Sequence, residues 1–450
     1  MIRRYLTKSA GPRTSYFAWL LLLLATICPK ATAVPSYARQ TGLSCNVCHS
    51  NPPELTAFGR KFKLNAYTLT DLRPDTSVDA KNLAINRYFP LSAMMVVADT
   101  AIHTHTPETQ NGSVQFPQIM SMFLAGAFAT HMGGQVQATY SHQSDHFTLD
   151  NTDLRFADHA TLHSKELIYG ATLNNSPTME DLWNSTPSWG YPWVSPTTAP
   201  SPIAKPVLLG ALAQDVAGLG AYAMWDNHLY ASLSAYRSEH VGGSQPVDGT
   251  GHPYNIQGVA PYWRAAWQQY WGNNNYLMVG TYGIYLSSTP GGVGGTRDTY
   301  MDPAVDFQYE RPFSRNLLTV HGTYVHESSK LHATFESGGA AGPDHHLDSI
   351  RTDVNYHIRE RLRLTAAGFS TTGSNDPILY APAPVIGSVL GSPQTTGYIA
   401  QAGFWAKQNI ELSFQYTGYG KFNGSSKNYD GFGRNASANN TAFIALWVSY

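Results

Sequence analysis

The amino-acid sequence predicts an all-β protein, an outer-membrane β-barrel of about 16 strands that follows a small N-terminal segment. Three observations carry that expectation. Apolar and polar residues alternate along short stretches throughout residues 88–450. Only 13% of residues are charged, while the chain holds 27 tyrosines and 10 tryptophans. One composition class also persists for about 360 residues, long for a single soluble sandwich.

The alternation is explicit. In "NIELSFQYT", Ile410, Leu412, Phe414 and Tyr416 fall on one face, and Glu411, Ser413, Gln415 and Thr417 on the other. "DVNYHI" sets Val354, Tyr356 and Ile358 against Asp353, Asn355 and His357, and "VDFQY" sets Val305, Phe307 and Tyr309 against Asp306 and Gln308. "QVQATY" repeats the pattern with Val136, Ala138 and Tyr140. Period two means strands. A soluble sandwich alternates as well, but a membrane barrel turns its apolar face to lipid and its polar face to a lumen, with aromatic residues at the interfaces. The stretch "FIALWVSY" places Ile444, Leu446, Val448 and Tyr450 on one face and ends on an aromatic, as outer-membrane barrels commonly do.

Strand starts fall near residues 88, 115, 131, 147, 163, 217, 228, 260, 275, 300, 315, 331, 347, 361, 395, 409 and 440. Bacterial single-chain barrels have an even number of strands, so one of these seventeen starts is surplus and 16 strands are expected. Short links at 311–316 and 359–362 read as periplasmic turns. The long ones at 174–206, 239–258, 373–394 and 422–439 read as outer loops. The first has seven prolines between Pro177 and Pro206, together with Trp183, Trp189 and Trp193. It is either a lid folded over or into the barrel, or a rigid surface loop. "GGVGG" (291–295) lacks the lysine and strand–helix context of a phosphate cradle and reads as a flexible turn.

Residues 1–33 read as a secretory signal. Arg3, Arg4, Lys8 and Arg13 form a basic start, and Phe17 to Cys28 is an apolar run of about twelve residues, too short to span a bilayer. Ala31, Thr32 and Ala33 then offer small residues for cleavage. The whole chain has 29 basic and 30 acidic residues; the signal holds five basic and no acidic ones, leaving 24 against 30, a net of about −6. Residues 34–73 carry Arg39, Arg60, Lys61, Lys63 and Arg73 against Glu54 and Asp71, a net of +3, so the remainder carries about −9. This excludes a nucleic-acid binder, which shows a basic patch on a basic domain. The expected organisation is a signal at 1–33, a small segment at 34–75, a linker at 76–87 and the barrel at 88–450.

The small segment contains "TGLSCNVCHS", with Cys45, Cys48 and His49. After the signal there is no other cysteine. Two thiols three positions apart, with an adjacent histidine, suit covalent attachment of a c-type haem, the imidazole supplying an axial iron ligand. A redox dithiol lacks the surrounding βαβ pattern, a zinc site lacks a second ligand pair, and a local structural disulfide is a further alternative.

The stretch "AVPSYARQTGLSCNVCH", from Ala33 to His49, resembles position by position the signature of the fused outer-membrane cytochrome–porins of iron-oxidising bacteria. In that signature Ala, Pro, an aromatic and then "ARQTG" precede the haem-binding Cys-x-x-Cys-His; here Tyr37 stands where Phe is usual. The similarity continues through "ELTAFGRKFKLNAYTL" (54–69) and across the barrel. The resemblance implies one covalent haem c in a small monohaem cytochrome segment seated in the barrel. It also implies electrons taken from extracellular Fe(II) and passed to a periplasmic c-type cytochrome or copper protein, with outer-membrane lipid around the barrel.

Physical chemistry agrees with that arrangement. A haem outside a barrel cannot connect the two faces of hydrocarbon about 30 Å thick, and about forty residues bury too little core to stand alone. "PPELTAFGRKFKL" is expected to form a short helix, with Pro52, Pro53 and Glu54 in its first turn and Leu55, Phe58 and Phe62 covering the haem. Arg39, Arg60, Lys61 and Lys63 are candidate propionate contacts. His49 is the expected proximal ligand. No Met or other His lies between Ser50 and Ala93, so Met94 and Met95 are the nearest candidates for the sixth ligand, with His103, His105, His321 and His357 beyond them. Lumen-facing Asp306, Asp353 and Glu411 are candidate carboxylates for Fe(II). The alternatives from other classes are a solute porin or receptor with a haem plug or sensor, and a conduit for another donor or the reverse current.

Overall fold

In the computed structural model, residues 35–68, 90–106, 111–112, 114–142, 145–186, 195–238, 255–290 and 295–450 are described. The signal, the linker, Trp189, Trp193 and residues 291–294 lie outside them. Sixteen strands appear among the described residues. They are β1 (Leu91–Ile102), β2 (Val114–Ala129), β3 (Met132–Ser141), β4 (His146–Leu162), β5 (Lys165–Asn174), β6 (Val216–Trp225), β7 (Leu229–Ser238) and β8 (Ala260–Trp271). Then follow β9 (Asn275–Ser288), β10 (Asp298–Phe313), β11 (Asn316–Leu331), β12 (Asp344–Ile358), β13 (Leu362–Gly373), β14 (Thr395–Lys407), β15 (Ile410–Lys421) and β16 (Thr441–Ser449). Each pairs antiparallel with the next, and β1 closes on β16, with Met94 opposite Ser449 and Ile102 opposite Thr441.

The surplus start is the one near 331. β11 runs through to Leu331, and the chain then turns into a short helix, His332–Glu336. The Asp298 carboxylate accepts the backbone N–H groups of Ala333 and Thr334 at 2.7 and 3.1 Å. Those bonds satisfy the helix's first amides, which a strand would have paired with a neighbour.

The faces are those of a membrane barrel. Val305, Phe307, Val354 and Phe414 point outward and are exposed, while Asp306, Gln308, Asp353, Asn355, Glu411 and Gln415 point inward and are buried. A soluble shell would reverse this arrangement, whereas lipid demands it. The protein is therefore an outer-membrane barrel. Its short turns, such as 314–315 and 359–361, lie at the periplasmic end, and its long loops lie at the outer end.

The lumen is occupied. Three short helices, Ser36–Thr41 (α1), Cys45–Cys48 (α2) and Ala57–Leu64 (α3), lie within it. Ser36 Oγ donates to the Ala125 carbonyl at 2.6 Å, Tyr37 Oη to that of Gly134 at 2.9 Å, and Tyr222 Oη to that of Leu64 at 2.8 Å. Asn46 reaches Glu360, in a periplasmic turn, at 2.8 Å. From the opposite side the proline-rich loop folds inward. Leu182 and Trp183 pack with Leu64, Tyr230 and Tyr276, and Val207, Leu208 and Leu212 pack against Tyr236, Tyr262 and Val325. Carboxylates on the wall hold it in place: Glu327 accepts Val207 N and Asp302 accepts Leu208 N, both at 2.8 Å. Of the two readings of this loop, the lid folded into the lumen is the observed one for residues 175–186 and 195–215.

Candidate functional site

The turn α2 sets the local geometry. Cys45 and Cys48 sit at i and i+3 of one helical turn, so both side chains share a face. His49 leaves the turn in an extended conformation, its N–H donating to the Cys45 carbonyl at 2.8 Å. Residues 49–55 then form a tight loop in which His49 and Leu55 bridge and Ser50 N donates to the Glu54 carbonyl at 3.2 Å. Thr56 caps α3 by accepting from Gly59 N at 3.2 Å and fastens it to α2 by donating to the Val47 carbonyl. Gly59 packs so closely on α2 that a Cβ there would meet the Cys48 carbonyl oxygen at 2.1 Å.

The helix therefore begins at Ala57, later than the sequence predicts. Pro52, Pro53 and Glu54 belong to the preceding loop, because the Thr56 hydroxyl supplies the cap that fixes the start. Leu55 and Phe62 face the cavity described next; Phe58, 36% exposed, turns away from it.

Cys45, Cys48 and His49 line a cavity of about 240 Å³. Both cysteines are free thiols. Burial raises both thiol pKa values, and with the Cys45 charge it pushes Cys48 up to about 11. Burial lowers that of His49, partly offset by backbone groups of Glu54 and Pro53. The imidazole is thus held neutral, its metal-binding form, and its Nδ1 is buried without a hydrogen-bond partner.

The wall opposite is apolar. Met94, Val96 and Ala98 of β1 and Phe443, Ala445 and Trp447 of β16 form one inward-facing apolar cluster, joined by Phe123 and Trp405. Across β10, β12 and β15 many inward positions are polar, among them Asp306, Gln308, Asp353, Asn355, Glu411 and Gln415, beside apolar Ala304 and Leu347. Two further apolar sectors, centred on β6–β9, hold the proline-rich loop; the one where the barrel closes lies beside Cys45 and His49. β1 and β16 are apolar on both faces, and that departure from strict alternation is the sequence signal for this sector.

Met94 faces inward and lines the cavity with His49; Met95, on the opposite face of β1, points outward. His103 and His105 are exposed beyond the far end of β1, and His321 and His357 are not among the lining residues. Neither expected arginine lines the cavity. Arg39 donates to the Leu91 carbonyl, and Arg60 forms a 2.6 Å ion pair with Glu310 of β10, which turns its guanidinium toward the opposite wall. Lys63 does line it, its Nζ donating to the Asp181 carbonyl at 2.9 Å. Burial, reinforced by the charge of Arg155, pushes the Lys63 ammonium down to about 8.

Of the carboxylates expected to meet iron, two are committed elsewhere. Asp306 pairs with Arg264 at 2.5 Å and Glu411 with Arg363 at 2.8 Å. Asp353 instead lies 2.9 Å from His321 Nδ1, which is 3.7 Å from Glu54.

No protein-family model matches the chain, and no curated protein does. Solved structures of similar shape are outer-membrane channels. Salmonella typhi OmpF, in a complex with daunomycin, is 10% identical, covering 80% of this chain and 97% of its own at a TM-score of 0.47. The DcaP channel of Acinetobacter baumannii is 10% identical, covering 83% and 99% at a TM-score of 0.46. The barrel assignment rests on its own closed hydrogen-bonded topology. The class it defines is a porin-like outer-membrane barrel whose lumen holds an N-terminal segment.

Proposed function

We propose that this chain is an outer-membrane electron conduit that carries one covalent haem c in the cavity beside α2 and oxidises extracellular Fe(II), passing electrons to a periplasmic carrier. The observation that carries the proposal is the meeting of the Cys-x-x-Cys-His turn with a largely apolar cavity at the seam of the barrel. Leu43, Leu55, Phe62, Phe123 and Trp405 line that cavity, and apolar lining left facing water is unfavourable at roughly 25 cal/mol per Å²; a large apolar group on the thiols would cover it.

The residues fit such a group. Cys45 and Cys48 are free and share a face for two thioether bonds. His49 is neutral, with an unpartnered buried nitrogen that marks the ring as incompletely satisfied. Met94 lies across the cavity as the sixth-ligand candidate. Lys63 is the one buried cation among the cavity-lining residues and suits a propionate. When bound, the haem supplies a one-electron redox centre, whose potential rises with burial and a methionine ligand. The protein's part is to exclude water with Phe123, Trp405 and Trp447, to hold the imidazole through the 49–55 loop, and to place the site within a wall that otherwise insulates.

The test uses the purified full chain in detergent. A haem band that survives denaturing electrophoresis, and its rapid reduction by Fe(II), support the proposal. Absence of covalent haem overturns it. Covalent haem that Fe(II) leaves oxidised, in a barrel that conducts solutes across planar bilayers, favours the solute porin with a haem plug.

A further inference from the structure

The geometry points to a second site: Glu54, His321 and Asp353 form a binding site for one first-row divalent cation. Each offers one donor atom, and the three atoms lie within 4.8 Å of one another. His321 of β11 and Asp353 of β12 are direct cross-strand partners, so the ladder fixes both wall ligands. Glu54 comes from the 49–55 loop. His321 Nδ1 is 2.9 Å from Asp353 Oδ2 and 3.7 Å from Glu54 Oε1. A cation held roughly 2.1 Å from each ligand requires donors about 3–3.5 Å apart, so a small movement of Glu54 closes the set.

A separate observation also indicates a ligand. Asn51 is 4% exposed, its Oδ1 is buried without a hydrogen-bond donor, and it lines the same cavity of about 40 Å³ as the three donors. A buried acceptor in this state calls for a water or an ion, and a cavity of that size holds a cation with about two waters. Two carboxylates, an imidazole and an amide oxygen suit Fe(II), Mn(II) or Co(II) better than a soft metal. The carboxylates also offset Arg351, which lines the same cavity.

Position gives the site its use. Pro52 and Pro53 line both this cavity and the one beside His49, and Glu54 lies five residues after His49. A cation here is separated from the cysteine cavity by one turn of chain. That the natural occupant is Fe(II) rests on the function proposed above; the site itself does not. In that case Glu54, His321 and Asp353 would hold Fe(II) as it gives one electron to the haem iron, leaving Fe(III) at this site.

The test is titration of the purified full chain with Mn(II), read by electron paramagnetic resonance. One saturable equivalent is expected, with a nitrogen coupling from His321. Glu54→Gln and Asp353→Asn should each weaken it at least about tenfold, while Glu336→Gln, in the outer loop after β11, leaves it unchanged. Folding of each variant is checked by heat-dependent gel migration. Lack of saturable binding in the wild-type barrel, binding without nitrogen coupling, or unchanged affinity in folded Glu54→Gln overturns the site. These outcomes are independent of haem content: protein lacking haem that still binds Mn(II) sinks the proposed function and leaves this site standing, and the converse holds equally.

Discussion

Arg60 on α3 and Glu310 on β10 meet at 2.6 Å inside the barrel, both side chains nearly buried, and the Arg60 guanidinium lies 4.3 Å over the Tyr276 ring. This pair fastens a basic segment to an acidic wall. Removing one partner of a buried pair costs about 3–5 kcal/mol because the other is left charged, whereas replacing both by apolar residues is often neutral. Arg60→Met should therefore loosen the segment, and Arg60→Met with Glu310→Met should restore it. Protease cleavage between residues 35 and 68 reads the difference. Equal cleavage of the single and double variants would show that the pair is not the fastening.

Gly59→Ala tests the contact between α3 and α2. The new methyl has no room against the Cys48 carbonyl, so the helices must separate. An overpacking cost of about 1–3 kcal/mol is expected, with a lower melting temperature and weaker haem staining. A variant that loads haem and melts like the parent would mean the close approach is not required.

Met94→Ala and Met95→Ala separate the two methionines. Only Met94 faces the cavity. Its loss should change the haem optical spectrum and lower the midpoint potential, while Met95→Ala leaves both unchanged. Equal effects in the two variants would exclude Met94 as a ligand.

Lys63 gives a dependence on pH. Docked, its ammonium titrates near 8; undocked, near the ordinary 10.5. Between these values the undocked segment holds the extra proton, so Lys63 makes docking of the haem-free chain strengthen as pH rises above 8. Because the buried Cys45 and Cys48 thiols act the opposite way above about 9, the window read is pH 8 to 9, where Lys63 contributes about 1 kcal/mol. Lys63→Met should remove the rise between pH 8 and 9 and leave the opposing thiol effect above it. The readout is protease protection of the segment against pH; a flat profile in the wild type would contradict the buried ammonium.

Much of the architecture was legible in the sequence. Period two placed Asp306, Asp353 and Glu411 on the inner face and Val305, Val354 and Phe414 on the outer one. The turns at 314–315 and 359–361 followed from the same pattern, whereas 16 strands came from the rule that such barrels are even-numbered, since alternation alone gave seventeen starts. Contacts between distant stretches were not legible. Nothing local to Arg60 reveals that Glu310, 250 positions later, binds it, or that Lys63 faces the cysteines instead. The false strand near 331 came from apolar residues that a capping carboxylate turns into a helix. The apolar inner sector was missed because β1 and β16 are apolar on both faces, so alternation could not say which side mattered.

Met94 and Trp447 stand in strands that begin 350 residues apart and become neighbours only when the cylinder is sealed. In a chain made from its amino end, both thiols emerge long before that staple can form. Any cofactor for the niche would then have to be aboard before the last ribbon zips to the first, or enter by the periplasmic mouth.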